Sequence, residues 1–286
     1  MSYQAEISRE NPSSFVFLVD QSGSMRNPFG GASAKSKSEA VADAINRFLQ
    51  NLSIMCSKAD GVRDFYHIGV IGYSNAADSL LDVNDDPQRL VPISELASNP
   101  LRVEERLKRI DDGAGGFIEQ SVKFPIWFEP VAYGRTFMGH AIEMCSTFLS
   151  DFIGAHPDCY PPIVINITDG AYDPESNPVE PAKSLREIAS SDGNVLFFNV
   201  HISHLGGHPI EFPDSRGELA DDYAQLLFDM SSKLPPSMLE LAISEEYVVS
   251  DESRGFVFNG DLISVIRFID IGTRHTRQVK RLGYSP

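Results

Sequence analysis

The chain has little that would staple, anchor or coat it. Only three cysteines occur in 286 residues, Cys56, Cys145 and Cys159, an odd number at wide spacings. That excludes a disulfide framework and a paired-cysteine zinc site, and fits a reducing compartment. No run of ~18 apolar residues is present, so no membrane-spanning helix is expected. The segment from Met1 to Asn11 is polar and acidic and lacks the apolar stretch of a secretory leader. We therefore expect a cytoplasmic protein with no membrane partner. Basic residues are also scarce: 24 Lys and Arg face 40 Asp and Glu, a net charge of −16. Such a balance repels a phosphate backbone, so nucleic acid is not expected as a main partner. No internal repeat and no low-complexity linker breaks the chain. With 42% hydrophobic and 22% charged residues, it can bury an ordinary globular core.

The remaining pattern alternates strands with helices. Phe15 to Val19 is a continuous apolar run, as expected for a parallel strand covered on both faces. It stops at Asp20, and a Gly- and Ser-rich loop follows. From Glu39, apolar residues recur at helical spacing at Val41, Ile45, Phe48, Leu49, Leu52 and Ile54. Further strands are expected at Phe65–Tyr73, Ile163–Ile167 and Val195–Val200. Further helices are expected at Thr136–Ile153, Glu180–Ser191, Ala220–Lys233 and Leu262–Ile271. Leu101–Ile110 is heavily charged and reads as a helix. Ser79–Val91 reads as a short edge strand and turn, and Ile118–Pro130 as loop and edge structure because of its prolines. The sum is an α/β fold, a doubly wound, mostly parallel sheet flanked by helices. We read 1–286 as one domain with a core of about 14–203. An insertion covers about 79–135, and a C-terminal helical extension about 217–274.

In such sheets ligands bind where loops leave the carboxyl ends of strands. Three polar clusters fall there: Asp20-Gln21-Ser22-Gly23-Ser24, Gly134-Arg135-Thr136 and Thr168-Asp169-Gly170. They offer carboxylates and hydroxyls, without sulfur or imidazole. This hard oxygen set suits Mg²⁺, Mn²⁺ or Ca²⁺ better than zinc. Gly23 is expected to permit the sharp turn that lets alternate side chains share one pocket.

The three clusters, in this order, resemble the D-x-S-x-S, G-x-T and T-D-G elements of von Willebrand factor type A (vWA) domains with a metal-ion-dependent adhesion site, or MIDAS. The resemblance spans roughly Ser14 to His201. It implies that Asp20, Ser22, Ser24, Thr136 and Asp169 are the metal residues. Ser22 and Ser24 would ligate directly, Thr136 directly or through water, and Asp20 and Asp169 often through water. It further implies Mg²⁺ as the cofactor, with Mn²⁺ or Ca²⁺ as alternatives, and a protein partner whose Asp or Glu completes the coordination. The implied module binds or scaffolds and is not an enzyme. The finer likeness, carried by Val200-His201-Ile202-Ser203 and Gly255-Phe256-Val257-Phe258-Asn259, is to bacterial intracellular vWA proteins of the tellurite-resistance-associated type. That likeness implies a kinase- or phosphatase-like partner in stress or defence signalling.

The sequence also offers other readings. Asp20 could serve a Mg²⁺-dependent phosphohydrolase as nucleophile, although Ser22 stands where such enzymes usually carry a second Asp. Some vWA proteins bind RNA, which the negative charge disfavours. Gly72-Tyr73-Ser74-Asn75-Ala76 lacks the last glycine of a nucleophile elbow, and Ala34 before Lys35 breaks a phosphate-binding loop. His201, His204 and His208 read as a solvated loop rather than a zinc site. Trp127, the sole tryptophan, is either a surface contact or a local hydrophobic plug.

Overall fold

The computed structural model describes residues 3–29, 35–81, 90–111, 117–202, 209–219 and 221–259. The expected strand at Phe15–Val19 forms as β1 (Ser13–Asp20), buried along its whole length. Its neighbours are β4 (Tyr66–Tyr73) on one side and β9 (Ile163–Thr168) on the other, both parallel to it. Beyond β9 lie β10 (Leu196–His201) and β12 (Phe256–Phe258), again parallel. Short antiparallel strands finish the edges: β5 (Ala77–Ser79) and β6 (Val91–Pro92) on β4, and β11 (Ile210–Glu211) on β12. The sheet is thus mostly parallel, and it draws β12 from beyond residue 203.

Side-chain parity along β1 explains why both faces need helices. Phe15, Phe17 and Val19 enter one apolar cluster, with α1 (Lys37–Cys56), α2 (Ile93–Ser98) and α6 (Pro236–Ser244). Val16 and Leu18 enter the other, with α3 (Met138–Ala155), α4 (Val179–Glu187) and α5 (Asp222–Met230). Helix α1 starts two residues earlier than its apolar pattern because Ser36 and Glu39 form a reciprocal capping box. Ile54 does not join the buried face of α1; it is exposed at the last turn. Helix α4 ends at Glu187, short of the expected Ser191, since Ala189 turns back to pair with Asn194. Helix α6 falls within the expected C-terminal helical extension, β12 interrupts it with a strand, and Leu262–Ile271 lies outside the described residues.

The charged segment read as a helix is instead a strand. Residues Arg102–Asp111 form β7, paired antiparallel with β8 (Phe117–Ile126) in a separate hairpin. A second, two-residue pairing joins β2 (Ser57–Lys58) to β3 (Gly61–Val62). In β7 the charges at i and i+2 share a face, which a helix would not allow. Glu104 accepts from both Arg102 and Arg106, Arg106 also pairs with Asp43 of α1 at 3.0 Å, and its guanidinium stacks 3.8 Å over Phe124. The dense charge expected on a helix is instead organised along a strand.

The hairpin is bolted to α1 just past β8. Asn46 accepts the Trp127 backbone N–H at 2.9 Å and donates to the Phe128 carbonyl at 3.2 Å. The Trp127 indole is buried and donates to the Leu96 carbonyl at 2.7 Å. Of the two readings of Trp127, the plug is the one observed. As the chain has one tryptophan, its intrinsic fluorescence should be blue-shifted and poorly quenched by acrylamide. Emission at the wavelength of free indole in water would contradict this packing.

Candidate functional site

The chain order of the parallel strands creates a crevice. After β1 the path leads to β4 on one side, and after β9 it leads to β10 on the other. Loops leaving β1 and β9 therefore diverge, and ligands in open α/β sheets bind at this switch point. Asp20 ends β1, and Thr168 and Asp169 end β9, so two of the three polar clusters meet there.

Asp20 is fully buried. Its Oδ1 accepts the Ser22 N–H at 2.8 Å and its Oδ2 accepts the Thr168 hydroxyl at 2.7 Å. Thr168 in turn accepts the Gly170 N–H at 3.0 Å. Burial, and then the charge of Asp169, push the Asp20 carboxyl up to about 6. Ser22 Oγ and Ser24 Oγ stand 3.0 Å apart. Ser22 is buried, Thr136 half-buried and Ser24 exposed. The turn between the serines differs from expectation. Gly23 has no positive φ, and a Cβ there would meet nothing nearer than the Gly134 carbonyl at 3.7 Å. A 3-10 turn over Gly23–Arg26, led by the Ser22 N–H to Asp20 bond, makes the bend.

Thr136 follows no sheet strand, so its loop must be carried to the crevice by other bonds. Tyr133 N–H donates to Gln21 O at 2.6 Å, and Gly23 N–H to Gly134 O at 3.2 Å. Arg135 N–H donates to Asn75 Oδ1 at 3.0 Å and Phe137 N–H to Ser74 O at 3.1 Å. Gly134 has φ +77°, and a Cβ would collide with Asn75 at 2.6 Å, so glycine is required there. The Arg135 side chain grips Asp173 and Glu175, and Asp173 N–H bonds the Thr136 carbonyl. The 134–136 and 169–175 loops are thereby locked together. Gly170, at φ +101°, lets His201 approach within a distance that a Cβ would close to 2.5 Å. The His201 ring nitrogen Nε2 lies 2.9 Å from the Asp169 carbonyl oxygen.

Several participants were not singled out from sequence. Lys37, the first residue of α1, is fully buried with Nζ 3.3 Å from Asp169 Oδ2. A lysine at the start of a helical pattern carries no sequence mark of burial. Beneath the crevice a polar ladder crosses one face of the sheet. The Tyr73 hydroxyl donates to Asn166 Oδ1 at 2.8 Å, Asn166 Nδ2 to Asn199 Oδ1 at 2.9 Å, and Asn199 to the Ser231 hydroxyl at 3.0 Å. Here a signal existed: Asn166 and Asn199 interrupt otherwise apolar strands, and a buried amide must find partners.

The donor set fits a hard divalent cation. Octahedral Mg²⁺ takes oxygens at about 2.1 Å, which places adjacent ligands about 3.0 Å apart, the separation of the two serine hydroxyls. The candidate ligands are oxygens of Ser22, Ser24, Thr136, Asp20 and Asp169. No group of three or more His, Cys, Asp and Glu side chains forms a metal cluster among the described residues. His204 and His208 lie outside those residues.

The raised Asp20 value has a consequence for the metal-free fold. A folded-state value above the ordinary 3.8 means the fold prefers Asp20 protonated. That contribution is complete below about pH 4 and lost as the pH rises through about 6, roughly 3 kcal/mol in all. In chelator-treated protein, urea denaturation should show Asp20→Asn gaining on wild type by that amount between these limits. A difference independent of pH would contradict it.

No curated protein matches the chain. Solved structures do. The manganese-loaded TRAP protein of Plasmodium vivax is 14% identical with a TM-score of 0.45, over 93% of this chain and 74% of that one. Proximal thread matrix protein 1 of the mussel byssus, with a zinc-occupied MIDAS motif, is 12% identical with a TM-score of 0.46, over 91% and 47%. A von Willebrand factor type A protein of Catenulispora acidiphila is 14% identical with a TM-score of 0.44, over 92% and 42%. This chain thus spans less than half the length of the latter two. The family model described as the von Willebrand factor type A domain matches residues 15–171, covering β1 through Asp169 and more than half of the sequence. On that match, with a mostly parallel sheet flanked by helices, this chain belongs to the von Willebrand factor type A family.

Proposed function

We propose that this chain is a divalent-metal-dependent protein-binding module, acting through a MIDAS and without catalysis. Ser22, Ser24 and Thr136 would hold Mg²⁺, with Asp20 and Asp169 beside them or one water away. The observation that carries this reading is the pair of serine hydroxyls, 3.0 Å apart above the buried Asp20. The metal supplies a positive centre, and these residues supply few charges to quench it. An Asp or Glu of a protein partner then completes the coordination. Mn²⁺ and Ca²⁺ are alternative occupants of the same oxygens.

The phosphohydrolase alternative requires Asp20 to attack phosphorus in line. Its carboxylate is fully buried and both oxygens are held by hydrogen bonds, which argues against a nucleophile. RNA remains disfavoured by the net charge of −16. Among the described residues no helix is long and apolar enough to cross a membrane. All three cysteines are free and buried, which supports the cytoplasmic reading. We read the chain as a single vWA domain. Its 79–135 insertion would give the partner-specific surface, since the β7–β8 hairpin leaves Leu107 and Phe117 more than 70% exposed. The tellurite-resistance likeness points to a kinase- or phosphatase-like partner in bacterial stress or defence signalling.

Mg²⁺ at a hundredfold excess over its Kd should stabilise the fold by about 2.7 kcal/mol, and Ser22→Ala/Ser24→Ala should abolish that gain. In a pull-down from native lysate, the partner should be lost both with EDTA and with the double substitution. Melting that ignores Mg²⁺, Mn²⁺ and Ca²⁺ alike, or a partner retained in every arm, would overturn the proposal.

A further inference from the structure

Lys37 is difficult to explain as scaffold. Lysine is almost never fully buried unless paired, and a cation at the first turn of a helix opposes the helix dipole. Yet Lys37 opens α1 with no exposed surface, and its ammonium faces the Asp169 carboxylate at 3.3 Å, both side chains covered. Its backbone N–H is tied to the Asn27 carbonyl at 2.9 Å, which fixes the start of α1 against the loop that follows the two serines. What outweighs the cost of burying the ammonium is the negative floor of the crevice, where Asp20 and Asp169 repel one another.

The charges can be summed. Two carboxylates and one ammonium leave the floor at −1 without metal. A divalent cation takes it to +1, and one carboxylate from outside brings it to zero. Had the helix begun with a neutral residue, the two aspartates would offset more of the metal's charge, and the pull on an outside anion would be weaker.

We propose that Lys37 is a built-in counter-cation that weakens metal binding by the empty module and makes firm metal retention depend on an acidic ligand. Metal and partner carboxylate then bind cooperatively, and by linkage each raises the affinity of the other by the same factor. The partner favoured by this device is an acidic peptide segment engaged through a single Asp or Glu. The inference rests on the metal reading above and adds what decides when the metal is held.

Calorimetric titration of Mn²⁺ into the full chain tests it, in sodium chloride and in sodium acetate at equal ionic strength. Wild type should bind Mn²⁺ several-fold more tightly in acetate. Lys37→Met should bind Mn²⁺ in chloride about tenfold or more tightly than wild type, and lose most of the acetate effect. Lys37→Arg, which keeps the charge, should stay near wild type. Because Lys37→Met removes one member of a buried pair, Lys37→Gln is measured beside it by thermal melting. Its metal-induced rise in Tm should exceed that of wild type. A wild type that binds Mn²⁺ while the neutral variants bind no tighter and gain no larger rise overturns this inference alone. A wild type with no Mn²⁺ response overturns it together with the metal reading.

Discussion

A carboxylate buried at the end of the central strand organises the top of this molecule. Asp20 has no exposed surface, so each of its oxygens must be paired or neutralised. The Ser22 N–H bends the chain into the turn that places the two serines. The Thr168 hydroxyl ties β9 to β1 at the same level. Asp169 then adds a second negative charge beside the first, and Lys37 answers it from α1. Two strands and a helix are thereby linked through two neighbouring carboxylates.

Around that group the loops are fixed to each other more than to the sheet. The 133–137 segment reaches the crevice through backbone bonds to Gln21, Gly23 and Ser74 and through the amide of Asn75. Arg135 clamps the same segment to the loop after β9. A site assembled in this way is well defined before any ligand arrives, which lowers the ordering entropy lost on binding. The polar ladder from Tyr73 through Asn166 and Asn199 to Ser231 works at a lower level. It crosses the helix-covered face of β4, β9 and β10 and reaches α5. A polar chain in an otherwise apolar core specifies one register of strands and helix, because any other leaves buried amides unpaired.

The −16 net charge and the proposed acidic ligand set up a tension with a physical resolution. The global field repels an acidic partner at long range, and screening at physiological salt confines that repulsion to about 8 Å. The proposed attraction would be local, at a metal with few anionic neighbours. Association of this kind trades on-rate for selectivity: weakly matched acids are turned away, and one that reaches the site with complementary contacts stays.

The sequence by itself determined what is periodic or contiguous. Apolar or β-rich stretches named β1, β4, β9 and β10, helical spacing named α1 and α3, and the resemblance of three ordered polar clusters to vWA motifs named Asp20, Ser22, Ser24, Thr136 and Asp169 as candidates. The strands and helices follow from local rules, since a strand buried on both faces is apolar and a half-buried helix repeats its apolar residues every three or four positions. What depends on distant pairing was decided only by the tertiary structure. The charged Arg102–Asp111 segment became a strand because β8 was there to pair with it. Trp127 became a plug because Asn46 and Leu96 offered partners 81 and 31 residues away. Lys37, indistinguishable in sequence from a solvated helix start, was buried because the fold brought Asp169, 132 residues distant, to within reach of its ammonium. Charge tolerates burial only when an opposite charge is delivered to the same place, and that delivery depends on the topology of the sheet.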